Sequence, residues 1–168
     1  QAPCCFDIGS TAYVNCDKQG LLLEQIYEPE IDSEAVVADI LNRSKEYIDE
    51  NETKIVGKFP NTYTFTKNLG EKTLIKNKGH LKFCLWRPSI IASSVAEPMP
   101  GWTDSLSAAG GLSILGGVGL SHVVNSHGRY NFDVIPVDYV SNGCLVATCY
   151  TATKKDKEVE IFNCTTSV

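Results

Sequence analysis

The chain has 168 residues, with 15 Lys and Arg against 20 Asp and Glu, a net charge of −5, and 43% apolar residues. That length supports one domain with a real core. The acidic balance and the lack of any basic run argue against a nucleic-acid partner, and no apolar stretch approaches the roughly 20 residues of a membrane-spanning helix. Seven cysteines are present, an odd number. None forms a CxxC pair, and none combines with His80, His122 or His127 at zinc-ligand spacing, so no metal site is expected. They are read as buried free thiols of a reducing compartment. Sequons at Asn42, Asn51 and Asn163 carry little weight without a signal peptide. The opening, "QAPCCFDIG", has neither an initiator Met nor signal-peptide character and reads as the middle of a domain. The chain is therefore expected to be a fragment.

Residues 5–9, "CFDIG", read as the end of a strand, and "STAYVNCD" as a polar turn. An extended loop with a proline, "YEPEID", precedes a helix capped by Asp32 or Ser33. That helix is predicted as one element over 33–51, with Val36, Val37, Ile40, Leu41, Tyr47 and Ile48 on its buried face. "GKFPN" breaks it. A second helix is predicted over 62–76, ended by Gly79 in a left-handed conformation. "LKFCLW", 81–86, reads as a short buried strand closed by Arg87-Pro88, and "EPMPGWTD" as a rigid proline-rich loop. Residues 110–119 are glycine-rich and read as a loop. "FDVIPV", 132–137, reads as a strand, 138–152 as a helix with Asp138 near its start, and "EVEIFNC", 158–164, as a final strand. Helices alternating with short apolar strands predict an α/β fold with a mostly parallel sheet.

Tyr63 precedes Lys67 by four residues, which puts the two on one helix face. An ammonium beside a phenol favours its ionised form, and a phenol so tuned is a usable general acid. The spacing alone is weak, since such pairs arise often by chance. Order along the chain makes it more specific. Ser10 and Thr11 follow a strand end, where open α/β sheets bind their ligands. The Tyr/Lys helix comes next, and then a strand ending in Arg87-Pro88-Ser89. "AAGGLSILGGVGLSH" is not a nucleotide loop. Gly117-Val118-Gly119 is followed by His122 where a third glycine is needed, and GxxxxGK is absent. The segment is read as a flexible or substrate-facing loop whose apolar side chains line an acyl channel or pack in the core.

"STAYVNC", "PNTYTFTK", "RPSII", "EPMPGW" and "VIPVDYVSNG" together resemble the fatty acyl-CoA reductases, extended members of the short-chain dehydrogenase/reductase superfamily. The resemblance runs from about residue 9 to residue 164. It implies that residues 1–168 are the C-terminal part of a Rossmann-like NAD(P)-binding domain. The glycine-rich N-terminal half and a C-terminal membrane-associated domain are missing from it. It also implies NADPH as cofactor and a long-chain acyl-CoA as substrate, reduced through an aldehyde to a fatty alcohol. By the same resemblance Tyr63 and Lys67 are the YxxxK pair, which also holds the nicotinamide ribose. Thr11 is the catalytic hydroxyl, with Ser10 an adjacent candidate. Pro88, Ser89 and Ile90 lie beside the nicotinamide. The full-length parent would associate with the peroxisomal or endoplasmic reticulum membrane on its cytosolic face. Asp7 and Gly9 depart from the family's valine-rich strand. Two other readings stay open: another extended short-chain dehydrogenase with a sugar-nucleotide or steroid substrate, and an inactive fragment acting as a binding module. Taken alone, the 168 residues are expected to be inactive and to bind NADPH weakly.

Overall fold

A computed structural model describes residues 5–27, 32–106, 108–123, 125, 127–129, 131–155 and 159–167. Its centre is strand β2 (Lys82–Pro88), whose run Phe83, Cys84 and Leu85 is buried. A strand covered on both faces needs such a continuous apolar run. Strand β1 (Cys5–Gly9) pairs with it in parallel on one side and β5 (Val159–Cys164) on the other, giving the order β1-β2-β5. A second parallel pair joins β3 (Ile90–Ala92) to β4 (Val134–Pro136). The predicted α/β class with a parallel sheet holds.

Five helices surround these strands among the described residues: α1 (Ser33–Leu41), α2 (Lys45–Val56), α3 (Thr62–Asn77), α4 (Ala108–Gly117) and α5 (Val137–Thr153). Successive strand residues point to opposite faces. Arg87 meets α3 on one face through Glu71, while Trp86 lies under Gly143 of α5 on the other. The α3 side is filled by Val56, Phe65 and Leu69, against which Val36, Val37, Ile40, Ile55 and Phe59 pack. Gly79 does adopt the left-handed conformation expected after α3, with φ +57°.

The single helix expected over 33–51 is two helices. Asp32 caps the first by accepting from the Glu34 N–H. Asn42 turns its side-chain amide back to the Ala38 carbonyl, and Ser44 accepts from the Tyr47 N–H at 3.3 Å, starting α2 afresh. A continuous apolar period hid a cap in its middle. Of the predicted buried face, Leu41 (78%) and Tyr47 (38%) are exposed, while Val36, Val37, Ile40 and Ile48 are partly covered.

The glycine-rich stretch expected to be a loop forms α4 over most of its length. Glycine is a poor helix former, which is why the sequence misleads. Here the missing side chains make room. A Cβ at Gly110 would stand 2.7 Å from the Ser105 carbonyl oxygen, and one at Gly111 would collide with that of Leu106. Strand β3, Ile90–Ala92, was not expected at all, being three residues long. The predicted strand over 132–137 shrinks to Val134–Pro136, and α5 starts immediately after it. Part of "YEPEID", residues 28–31, lies outside the described residues.

Among the described residues no two cysteines form a disulfide, yet only Cys84 is fully buried; Cys149 is exposed and Cys5, Cys16, Cys144 and Cys164 are partly covered. Cys4 lies outside the described residues. Burial pushes the Cys84 thiol up to about 12, which marks it as packing rather than a nucleophile.

Candidate active site

Helix α3 begins where it does because Asn61 accepts from the Thr64 N–H at 2.9 Å. Tyr63 therefore sits in the first turn and Lys67 in the second. The Lys67 ammonium donates to the Gly9 carbonyl at 3.0 Å, the last residue of β1. One residue further along α3, the buried Asn68 donates to the Val14 carbonyl at 2.8 Å. These two bonds lay the first half of α3 across the carboxyl end of β1 and the 3-10 turn Ala12–Asn15 that follows it.

Ser10 and Thr11 occupy that junction. The Ser10 amide continues the ladder to the Trp86 carbonyl at 2.8 Å, and its buried hydroxyl has no partner. Leaving a buried hydroxyl unpaired costs roughly 1–3 kcal/mol, so it is a group waiting for a ligand or a price of the fold. Thr11, 4% exposed, caps the 3-10 turn by accepting from the Tyr13 N–H at 3.3 Å. Its own hydroxyl hydrogen is uncommitted. Tyr63 is 54% exposed, and its hydroxyl bonds to neither of them. The structure thus brings Ser10, Thr11 and Lys67 to one strand end, with Tyr63 one helical turn away on the solvent side.

The end of β2 holds the other predicted residues. The Ser89 N–H donates to the Cys164 carbonyl at 3.0 Å and the Ile90 N–H to the Asp133 carbonyl at 3.2 Å. Pro88 has no N–H. This segment can therefore offer a ligand packing and carbonyl oxygens but no free backbone donors. The uncommitted hydroxyl hydrogens at Ser10 and Thr11, and the remaining N–H groups of the Lys67 ammonium, fit the hydroxyl-rich ribose and carboxamide of a nicotinamide nucleotide better than the Pro88–Ile90 amides do.

A cleft of about 530 Å³ opens at the same edge, lined by Ala12, Tyr13, Asn15, Leu21, Leu22, Leu23, Arg87, Asp133 and Asn163, among others. Burial raises the Asp133 carboxyl, but hydrogen bonds from Ser167 and Thr166 outweigh it and hold the group at about 2. The larger cavity, about 1100 Å³, lies beside α5 on the Trp86 face and contains none of the predicted site residues. Among the described residues no group of three or more His, Cys, Asp and Glu side chains converges as a metal site. No helix among them is long and apolar enough to cross a membrane.

Asn68, Glu71 and Asp133 were not singled out by sequence. Glu71 carried a signal: it extends the Tyr63/Lys67 spacing by four more residues. Asn68 and Asp133 carried none, because their roles depend on which backbone groups the fold brings to them.

The fold is a parallel α/β protein of the kind that binds its ligands at the carboxyl ends of its strands, where these hydroxyls and Lys67 gather. The family described as male sterility protein, an NAD-binding family, matches residues 3–144. The chain is 34% identical over 157 residues to fatty acyl-CoA reductase 1 of Xenopus laevis and 31% identical over the same length to that of Homo sapiens. It is 34% identical over 156 residues to fatty acyl-CoA reductase 2 of Bos taurus. These alignments cover 94%, 94% and 93% of this chain and 30% of each relative. The chain belongs to this NAD-binding, male sterility protein family and spans about 30% of the length of the curated relatives it matches.

Proposed function

We propose that the protein carrying this chain reduces a long-chain acyl-CoA thioester through an aldehyde to a fatty alcohol, using NADPH. The observation that carries this reading is the Lys67 bond to the Gly9 carbonyl. It brings the helix of Tyr63 and Lys67 to the strand end bearing the unpartnered Ser10 hydroxyl and the Thr11 hydroxyl. The family and the relatives' names support the substrate and reaction class.

Bound NADPH would supply the hydride. The chain's own residues handle charge and protons. Addition to the thioester carbon develops negative charge on the carbonyl oxygen, and the Thr11 hydroxyl, with Ser10 beside it, donates a hydrogen bond there. Collapse of that adduct expels the thiolate of CoA and leaves the aldehyde. In the second reduction the Tyr63 phenol gives its proton to the alkoxide and is reprotonated from solvent, which its exposure permits. The Lys67 ammonium keeps one N–H on Gly9 and uses the others to hold the nicotinamide ribose. Pro88, Ser89 and Ile90 supply a packing wall to the ring. Two hydrides and two protons convert one thioester to one alcohol and free CoA. Association with the peroxisomal or endoplasmic reticulum membrane, and the reading of residues 1–168 as one part of a larger reductase domain, rest on resemblance.

The test is a product assay on the full-length protein with palmitoyl-CoA and each nicotinamide in turn. Hexadecanol formed with NADPH faster than with NADH is expected. No thioester consumption, or faster turnover with NADH, would overturn the reading.

A further inference from the structure

Tyr63, Lys67 and Glu71 recur every four residues along α3, forming one stripe down the helix. The proposed reaction uses the first two and has no task for the third. Glu71 is nonetheless buried, and its carboxylate receives a two-point fork from Arg87 of β2. Nε donates to Oε1 at 2.8 Å and Nη2 to Oε2 at 2.6 Å. The Arg87 and Glu71 side chains are 3% and 7% exposed. The third arm of the guanidinium donates to the Gln25 carbonyl at 3.3 Å, in the segment that follows the leucines of the 530 Å³ cleft.

The other ties of α3 leave more freedom. Thr73 donates to Ser33 at 3.4 Å and Asn77 to Glu34 at 2.8 Å, single side-chain bonds to α1. Lys67 to Gly9 and Asn68 to Val14 are single bonds to carbonyls, about which a side chain can swivel. Lys76, at the far end of the helix, pairs with Asp32 and Glu34 in solvent, where such pairs contribute little. The apolar contacts of Phe65 and Leu69 attract without direction. A planar fork on a carboxylate fixes distance and orientation together. A pair of buried charges must also find that geometry or remain unpaired.

We infer that Glu71 and Arg87 are a positioning pair, setting the height of α3 along the sheet edge and hence the placement of Tyr63 and Lys67 relative to Ser10 and Thr11. The inference rests on the catalytic reading of Tyr63 and Lys67 given above. A slide of α3 by one residue would move Tyr63 by about 1.5 Å, and a misplacement of about 1 Å can cost about a hundredfold in rate.

The experiment compares Glu71→Gln, Arg87→Lys, the double variant Glu71→Met/Arg87→Met and Tyr63→Phe in the full-length enzyme. It reads kcat, KM for palmitoyl-CoA and NADPH, and thermal unfolding. Glu71→Gln strands a buried guanidinium and is expected to lower both kcat and melting temperature. Replacing both charges with packed apolar groups is often neutral for stability, so the double variant should melt near the parent. Its kcat should still fall at least about tenfold, with KM for palmitoyl-CoA little changed. Arg87→Lys keeps the charge and loses the fork, and its kcat should fall in the same way if the double variant does not fold. Parental kcat in a folded double variant or in Arg87→Lys overturns the inference, because the pair would then be structural only. An active Tyr63→Phe enzyme removes the catalytic reading and this inference with it. Inactive Tyr63→Phe beside fully active pair variants overturns the positioning role alone.

Discussion

Replacing Tyr63 with Phe removes one oxygen atom and nothing else. In the structure that oxygen lies on a side chain 54% exposed to solvent and makes no hydrogen bond among the described residues. The packing that holds α3 comes instead from Phe65, Leu69 and the buried Asn68 and Glu71. The substitution should therefore leave stability within about 0.5 kcal/mol, as surface changes away from caps and cores usually do. Loss of a positioned proton donor costs on the order of 10²–10⁴ in rate. The two expectations point in opposite directions for a structural and a catalytic tyrosine, which makes the variant decisive. Palmitoyl-CoA turnover by the full-length enzyme should fall at least about a hundredfold, while its thermal unfolding curve overlays that of the parent. Wild-type turnover would falsify the role of Tyr63 as proton donor. Lost turnover accompanied by a large drop in melting temperature would refute the claim that this side chain does not support the fold.

Two further outcomes follow from the packing of α5. The Asp138 carboxylate accepts N–H bonds from Val95, Ala96 and Glu97 at 3.2, 2.9 and 3.1 Å, anchoring the loop that contains "EPMPGW". Burial opposes its ionisation, but those bonds win and lower it from 3.8 to about 2. Its contribution to stability is thus complete above about pH 4 and is lost as the pH falls towards 2. The difference in melting temperature between the parent and Asp138→Asn should narrow over that window, and a gap independent of pH would contradict the anchoring role. At Gly143, an added Cβ would stand 2.7 Å from two ring atoms of Trp86. A helical Gly→Ala change ordinarily stabilises by up to about 1 kcal/mol, whereas overpacking costs about 1–3 kcal/mol. Gly143→Ala is expected to destabilise in urea titration, and a more stable variant would show that Trp86 can move aside.

The sequence by itself determined the class of the fold. Phe83, Cys84 and Leu85 form an uninterrupted apolar run, legible as a strand covered on both faces, and the cap at Asp32 marks a helix start with ordinary chemistry. Tyr63 and Lys67 were legible because a four-residue spacing on a helix fixes which side chains share a face. Only local geometry is written that way. The break at Ser44 was hidden because the apolar period runs across it. Helix α4 was hidden because glycine's low helix propensity gives no hint of the carbonyls of Ser105 and Leu106 that need the space. The site was assembled by contacts between segments far apart in sequence: Lys67 with Gly9, Asn68 with Val14, and Arg87 with Glu71. Spacing along the chain does not encode those pairings. The spent amides of Ser89 and Ile90 belong to the same category, since their acceptors on Cys164 and Asp133 are chosen by strand register. Periodicity and caps are local properties that each segment carries with it, whereas an unpaired hydroxyl at Ser10 or a forked ion pair at Arg87 exists only once the sheet has brought its partners, or failed to bring them.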